Sequence, residues 1–247
     1  MSNNKGESFE WKILDKGHVQ TAEQAEEERP SNLSPLRLAV LLSGAGSNLQ
    51  ALIDAIENRE LPGVEIVLVV CNNIDAYGLE RAHRHHLQSL YLPWQDRVES
   101  EAKLTAQLHH FQVDLVVLAG WMRILSAPFL AQFPRCVINI HPALMPDDGT
   151  GSTCVTRDGS VIPVFRGLHA VRQALDAGVK VTGSSVHFVT PEVDAGPVIC
   201  KDEVTIREGD TEESLHERLK VVEHRLIVEA VRRLTGHPGR AQGFLHQ

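Results

Sequence analysis

Long apolar runs are absent from this 247-residue sequence, and its first residues lack the hydrophobic stretch of a secretory signal. Positive charge is not in excess either, since 24 Lys and Arg stand against 32 Asp and Glu, a net charge of −8. We therefore expect no membrane span, and neither a nucleic-acid groove nor an anionic membrane surface as the main partner. An anionic small molecule stays compatible, because the free N–H groups at a helix N-terminus bind phosphate whatever the net charge.

Cysteine is scarce, and no pair shows CxxC spacing; the four residues are Cys71, Cys136, Cys154 and Cys200. Three of them fall in apparent core strands, so reduced thiols in a cytoplasmic protein are the simplest interpretation. Five histidines cluster at positions 83, 85, 86, 109 and 110, but they have no Cys or carboxylate partners at the spacing of metal ligands. The sequence therefore predicts no metal site.

The chain divides into three parts by composition. Residues 1–35 are polar and acid-rich and residues 236–247 are polar, so we expect both to be tails, the first of them disordered. Between them, buried strands alternate with amphipathic helices, which predicts βαβ units, right-handed crossovers and a parallel sheet. Because the chain reverses between the first and fourth strands, we expect the strand order 3-2-1-4-5 with a ligand-binding crevice at the switch point.

One stretch, CVINIHPALMP at residues 136–146, begins as a short buried strand and ends at a proline. Side chains two residues apart share a face of a strand, so Asn139 and His141 should point the same way at its C-terminal end. Ligands of open parallel sheets bind at that end, which makes this amide and imidazole a candidate catalytic pair. The alternative is a capped strand whose histidine is satisfied by backbone groups.

A glycine turn, SGAGSNL at residues 43–49, joins the first strand to the first helix. Its glycines permit close backbone approach, and Ser47 or Asn48 could cap the helix while free N–H groups face an anion. The turn therefore predicts a phosphate site, with a plain tight turn as the alternative. It is no dinucleotide fingerprint, since Leu49 stands where the third glycine would be, and no GK[ST] is present to bind a nucleoside triphosphate.

Two further segments lie near the predicted crevice. The apolar residues from Trp121 to Leu125 follow the fourth strand, where they suit a flat heteroaromatic ligand or, alternatively, fill the core. After Pro146 the hydrophobic pattern lapses, and residues 147–164 are typical of a surface loop or a small hairpin.

The last third of the chain returns to regular patterns. Residues 179–189 alternate as in a half-buried strand, and a turn-rich loop with two carboxylates follows at 190–197. A further strand reaches about Val204, and residues 212–234 form a long amphipathic helix with its cap near Asp210 and Thr211.

Six segments between residues 36 and 234 occur in the order, and nearly at the spacing, of one enzyme family: SGAGSNLQ (43–50), AGWMRIL (119–125), NIHPALMP (139–146), GLHAVRQAL (167–175), SSVHFVTPEVDAGPV (184–198) and EH (223–224). On these segments the sequence resembles the phosphoribosylglycinamide formyltransferases, the folate-dependent enzymes of purine synthesis. The Asn-x-His and Asp core alone marks the wider formyltransferase superfamily. The serine-glycine loop and GLHAVRQAL are similar to the glycinamide branch.

The resemblance implies a Rossmann-like, three-layer α/β/α fold over residues 36–235, with a mostly parallel sheet and an antiparallel C-terminal extension. It implies 10-formyltetrahydrofolate as co-substrate, the amine of N1-(5-phosphoribosyl)glycinamide as acceptor, and no metal. The protein would act on these small molecules in the cytoplasm, as a monomer or homodimer, without nucleic-acid or membrane partners.

The resemblance also assigns roles to single residues. The catalytic triad falls on Asn139, His141 and Asp194. Ser185 and His187 match neighbours of the triad, and Glu223 matches the acidic residue that binds the glycinamide. The phosphate loop falls on Gly46, Ser47 and Asn48. The folate contacts fall on Arg97, Met122, Arg123, Ile124, Leu125, Asn139, Thr190, Pro191, Glu192, Val193 and Asp194.

The sequence departs from the family at one long insertion, residues 147–166, where relatives have only a few residues. That segment borders the active site in relatives, so the insertion could alter access or turnover, or it could be a tolerated surface excursion. Ala45 stands where Asn is usual, and Trp121 where Phe is common. Neither change removes a catalytic group.

Other members of the superfamily give three alternatives. Formyltetrahydrofolate deformylase shares the triad and sends the formyl group to water, but it carries an N-terminal regulatory domain that 35 polar residues cannot supply. Methionyl-tRNA formyltransferase has a longer C-terminal region with a basic surface, whereas this chain is acidic. The non-enzyme alternative is a folate-binding relative in which the insertion has impaired turnover.

Overall fold

The computed structural model describes residues 34–235, in which seven strands form one twisted sheet. The strands are β1 (Leu36–Leu42), β2 (Val64–Cys71), β3 (Ser89–Tyr91), β4 (Leu115–Leu118), β5 (Val137–His141), β8 (Val181–Phe188) and β9 (Val198–Thr205). Their spatial order is β3-β2-β1-β4-β5-β8-β9. The first five strands are parallel, while β8 and β9 are antiparallel to their neighbours. The predicted order and the antiparallel extension are both confirmed.

Helices cover both faces of the sheet: α1 (Ser47–Glu57), α2 (Tyr77–Arg84), α3 (Arg97–His110), α4 (Ala127–Gln132), α5 (Ala170–Asp176) and α6 (Glu212–Thr235). The central strand β1 shows why three layers form. Its Leu38, Val40 and Leu42 pack in the core beneath α1 and α6. Its Ala39 and Leu41 pack in the opposite core beneath α3 and α4. Each fully buried leucine contributes about 1.5–3 kcal/mol of transfer free energy, so both faces need a helical cover.

Short polar residues fix the starts of three helices. The Asp96 carboxylate accepts from the Glu99 N–H at 2.8 Å at the start of α3, and Ser126 Oγ accepts from the Phe129 N–H at 3.2 Å at the start of α4. At α6, the Ser214 N–H donates to Thr211 Oγ1 and the Thr211 N–H donates to Ser214 Oγ. The cap predicted near Asp210 and Thr211 is therefore confirmed.

The inserted segment, residues 147–166, contains a small antiparallel hairpin of β6 (Thr153–Val155) and β7 (Val161–Pro163). Cys154 and Ile162 point inward, where they pack with Leu144, and the valines on the other face are exposed. Of the two alternatives for this segment, the hairpin is the one that forms. The predicted tails over 1–33 and 236–247 lie outside the described residues. Within 34–235, no helix combines the length and apolarity that a membrane crossing requires.

Candidate active site

The strand order puts the predicted crevice at the ends of β1, β4 and β5, on either side of the switch point. Two hydrogen bonds join the loops that leave β1 and β4. The Ser43 N–H donates to the Gly120 carbonyl at 3.1 Å, and the Met122 N–H donates to Ser43 Oγ at 2.9 Å. The predicted glycine turn and the predicted apolar segment are thus held side by side.

The three residues of the predicted triad lie together at the end of β5. His141 Nδ1 is 3.4 Å from Asp194 Oδ2, and the Asn139 amide donates to Asp194 Oδ1 at 3.4 Å. Asn139 and His141 share a face of β5, as the alternation predicts. Asp194 arrives from the loop after β8, which pairs antiparallel with β5. The structure therefore brings an amide, an imidazole and a carboxylate to one point.

His187, opposite Asn139 on β8, completes the cluster. Its Nδ1 lies 2.9 Å from the Phe188 carbonyl, which can only accept, so the proton belongs on Nδ1. Its Nε2 is then free to accept from the Asn139 amide at 3.2 Å. The Asn139 amide nitrogen therefore contacts both His187 Nε2 and Asp194 Oδ1, and His187 Nε2 itself lies 3.6 Å from Asp194 Oδ1.

The Asp194 carboxylate is strongly biased toward its ionised form. Burial alone would raise the pKa of Asp194, but contact with His187, the charge of His141 and the Gly167 N–H outweigh burial and bring it to about 2. The Gly167 N–H donates to Asp194 Oδ2 at 2.8 Å. A carboxylate held in this way stays charged throughout the neutral pH range and can support a protonated imidazole.

The second nitrogen of His141 is also engaged. Nε2 donates to the Phe165 carbonyl at 2.7 Å, and the side chain is only 4% exposed. Burial lowers the pKa of His141, while the Asp194 carboxylate and the Phe165 carbonyl oppose that shift. For His141 to touch a ligand, the bond to Phe165 must open, so the inserted segment takes a direct part in the site.

The glycine turn at the start of α1 differs from its prediction in one respect. The N-cap is Gly46, with φ of 70° and no side-chain cap, and α1 begins at Ser47. A Cβ at Gly46 would lie 2.8 Å from the Gly78 Cα, so only glycine fits this left-handed position. The prediction that Ser47 or Asn48 caps the helix is therefore wrong, because both lie inside its first turn. The backbone N–H groups of that turn have no intrahelical acceptor and remain able to bind an anion.

The Asn48 side chain has a different partner. It is 7% exposed, and its amide donates to Glu223 Oε2 at 3.3 Å, which joins α1 to α6. Asn48 Oδ1 is buried and has no hydrogen-bond partner among the described residues. Three of the predicted substrate residues, Gly46, Asn48 and Glu223, thus lie within one small region.

Burial raises the pKa of Glu223, and the Asn48 amide, His216 and Lys220 only partly offset it. A carboxyl whose folded pKa exceeds its unfolded value weakens folding at high pH, and the penalty disappears as the pH falls below the unfolded pKa of about 4.3. We expect Glu223→Gln to raise the free energy of unfolding at pH 7.5 and to change it little at pH 4, as measured by urea denaturation. Glu213→Gln is the control, because it removes an exposed carboxylate of the same helix. Equal effects of Glu223→Gln at both pH values would contradict this account.

The predicted folate residues fall into two groups. Met122 and Ile124 are 58% and 61% exposed and form an apolar surface beside the crevice, while Trp121 and Leu125 pack in the core with Trp94. The core-filling alternative therefore holds for Trp121 and Leu125, while Met122 and Ile124 remain available to the predicted ligand. Arg123 is exposed, and Thr190 lies half-buried in the loop that leads to Asp194, followed by three exposed residues, Pro191, Glu192 and Val193. Arg97 is exposed at the start of α3, and no hydrogen bond or ion pair within 34–235 joins it to another predicted site residue.

Three consecutive residues of the site were not predicted. Phe165 contacts His141, Arg166 contacts the backbone of Asp194, and Gly167 contacts the carboxylate of Asp194. Phe165 and Arg166 end a segment without hydrophobic periodicity, and Gly167 opens the GLH motif, so the only sequence signal was their position at this motif. In residues 34–235 no group of three or more His, Cys, Asp or Glu side chains is arranged to hold a metal ion.

Comparison with known proteins identifies the family. The formyl transferase family matches residues 36–231. The phosphoribosylglycinamide formyltransferase of Escherichia coli (strain K12) is 38% identical over 192 residues, which cover 76% of this chain and 82% of that protein. The trifunctional purine biosynthetic protein adenosine-3 of Homo sapiens is 38% identical over 198 residues, or 79% of this chain. This chain therefore spans only 18% of the length of that relative.

Solved structures give the same result. Glycinamide ribonucleotide transformylase 1 from Symbiobacterium toebii superposes with a TM-score of 0.72 at 40% identity, over 85% of this chain and 92% of that one. A formyltetrahydrofolate deformylase from Pseudomonas syringae superposes at 26% identity with a TM-score of 0.68, over 80% of this chain and 60% of that one. The predicted three-layer fold is confirmed. The chain belongs to the formyl transferase family and, within it, to the phosphoribosylglycinamide formyltransferases.

Proposed function

We propose that this chain transfers the formyl group of 10-formyltetrahydrofolate to the amine of N1-(5-phosphoribosyl)glycinamide in purine synthesis. The observation that carries the proposal is the cluster of Asn139, His141 and Asp194 at the end of β5. The helix N-terminus at Gly46, which is suited to a phosphate, follows β1 at the same edge of the sheet. The exposed Met122 and Ile124 offer an apolar surface for the folate ring.

The chemistry needs a stabilised oxyanion and one proton transfer. The amine attacks the formyl carbon to give a tetrahedral centre, and the bond from that carbon to the folate N10 then breaks. The imidazolium of His141, supported by the Asp194 carboxylate, would donate to the oxyanion once its bond to Phe165 has opened. The proton lost by the amine passes to the departing N10, through His141 or water.

Asn139 has a different part in this scheme. Its amide nitrogen contacts both Asp194 and His187, so in the described conformation it orients these two side chains. Its bond to Asp194 is long at 3.4 Å and therefore weak, so this is the bond we expect it to exchange for the oxyanion.

The acceptor of the formyl group tests the proposed reaction. Purified protein would be mixed with 10-formyltetrahydrofolate, with and without the glycinamide ribonucleotide, and the folate product and formate would be quantified. We expect folate product only when the amine is present. Formate release without amine would instead indicate a deformylase. Binding of folate without any turnover would indicate a catalytically impaired relative.

Substitution of Asn48 tests the glycine turn as the ribonucleotide site. Asn48→Ala removes the partner of the buried Glu223 at the start of α1. If Asn48 also contacts the substrate phosphate, we expect the KM for the glycinamide ribonucleotide to rise about 10-fold or more, since a hydrogen bond to a charged group contributes about 1.5–3 kcal/mol. The dissociation constant for folate should stay within about twofold. Asn58→Ala, at the exposed end of the same helix, is the control. A similar loss of affinity for both ligands would show that Asn48 is not specific to the ribonucleotide.

We also propose a compartment and an oligomeric state. The protein would act on these two small molecules in the cytoplasm, as a monomer or homodimer. The four cysteines are free, as expected of a reducing compartment. The folate derivative is the only co-substrate that the proposed chemistry requires.

A further inference from the structure

The inserted segment is built into the wall of the active site. Its start is attached to β9, because the Val198 N–H donates to the Asp147 carbonyl at 2.9 Å and Lys201 Nζ lies 2.8 Å from Asp147 Oδ1. A Cβ at Gly149 would lie 2.1 Å from the Gly196 carbonyl oxygen, so the segment and the loop of Asp194 touch backbone to backbone. A tolerated surface excursion does not need such close packing.

Arg166 connects this segment to Asp194. Its Nε donates to the Asp194 carbonyl at 2.8 Å, and its Nη2 donates to the carbonyls of Gly149 at 3.1 Å and Gly151 at 2.9 Å. The guanidinium is half-buried and forms no ion pair with a described carboxylate. The planar guanidinium therefore joins three backbone carbonyls from two different loops. The ammonium group of a lysine would reproduce this set of hydrogen bonds poorly.

The residue that Arg166 holds is under backbone strain. Asp194 has φ of 48°, in the left-handed region that residues other than glycine seldom adopt. Such a conformation persists only when neighbouring contacts over-determine it. Here the contacts come from consecutive residues, because Arg166 binds the carbonyl of Asp194 and Gly167 binds its carboxylate. This arrangement aims the Asp194 side chain at His141.

We propose that Arg166 is a positioning residue, which holds Asp194 in its catalytic orientation by fastening the Asp194 loop to the inserted segment. The inference rests on the proposed formyl transfer. If it is correct, the active site requires the inserted segment, because this segment holds the loop that carries Asp194. Arg166 would act through Asp194 and would not itself touch the substrate.

Two substitutions of Arg166 test this role. Arg166→Met removes the charge and all three hydrogen bonds. Arg166→Lys keeps the charge but replaces the planar guanidinium by an ammonium group. We expect kcat per folded enzyme to fall about 10- to 100-fold in Arg166→Met, since displacements of about 1 Å can cost that much. Arg166→Lys should be impaired to a smaller extent, and the KM values for both substrates should stay within about threefold in both variants. Arg172→Met and Arg172→Lys are matched controls, since Arg172 is exposed and pairs only with Asp176 among the described residues.

The outcomes separate this inference from the proposed function. Transfer by the unsubstituted protein, with reduced kcat and nearly unchanged KM in both Arg166 variants, supports a positioning role. Wild-type kcat in either variant overturns it and leaves the proposed function intact. If the substitutions lower only the fraction of molecules that fold, and each folded molecule turns over normally, then Arg166 has a purely structural role. That result also overturns the inference. If Arg166→Met does not fold, Arg166→Lys decides the question. Absence of transfer in the unsubstituted protein removes the proposed function itself.

Discussion

Replacement of His141 by alanine should lower kcat for formyl transfer by about 10²–10³-fold or more, the usual cost of removing one donor to an oxyanion. The KM values should change far less, because the imidazole acts on charge that develops only in the transition state. The structure supports this expectation by placing Asp194 Oδ2 3.4 Å from Nδ1 of a ring that is otherwise buried. Steady-state kinetics with both substrates varied would measure the two parameters separately.

His109 supplies the control for this experiment. It is exposed near the end of α3, away from the crevice, so His109→Ala should retain normal turnover. Circular dichroism of both variants would show whether any loss reflects unfolding. Near-normal turnover in folded His141→Ala would remove His141 from the reaction.

Replacement of Asp194 by asparagine should have an effect at least as large on kcat, about 10³-fold. An amide at this position no longer stabilises a cationic imidazole, and its N–H group can face Nδ1 and favour the neutral ring. It also weakens the acceptor for the Gly167 N–H, which the carboxylate now holds at 2.8 Å. Asp176→Asn, which removes only a surface ion pair on α5, is the matched control.

The double variant with both His141→Ala and Asp194→Asn tests whether His141 and Asp194 act as a unit. If His141 depends on Asp194, the combined loss in kcat should be close to the larger of the two single losses, far below their product. Multiplicative losses would show that the carboxylate and the imidazole contribute independently, which contradicts a supporting role for Asp194.

The sequence predicted those parts of the fold that follow from periodicity. Alternating strands and helices were enough for the parallel sheet and its strand order, because crossover handedness leaves few topologies. The period of two along β5 was enough to place Asn139 and His141 on one face. Alternation alone could not bring Asp194 to them, since that depends on the antiparallel pairing of β8 with β5. Only the family resemblance pointed to that residue.

Other parts of the site have no pattern from which to predict them. The cap at Gly46 depends on a left-handed φ, and a serine or asparagine next to it is an equally good cap by composition. The bond from His141 to the Phe165 carbonyl comes from backbone in an aperiodic segment, where side-chain identity carries little information. Arg166 is similar, because its three acceptors are all carbonyls. Because every residue type has a backbone carbonyl, the identity of the accepting residue does not predict such a hydrogen bond.

The fate of an isotopically labelled formyl group tests the central claim most directly. The protein would be incubated with 10-formyltetrahydrofolate labelled at the formyl carbon and with the glycinamide ribonucleotide, and the label would be located by NMR or mass spectrometry. The account predicts that the label is recovered on the amine of the ribonucleotide, at a rate that falls steeply in His141→Ala. Label recovered as formate, or transfer that does not depend on His141, would contradict it.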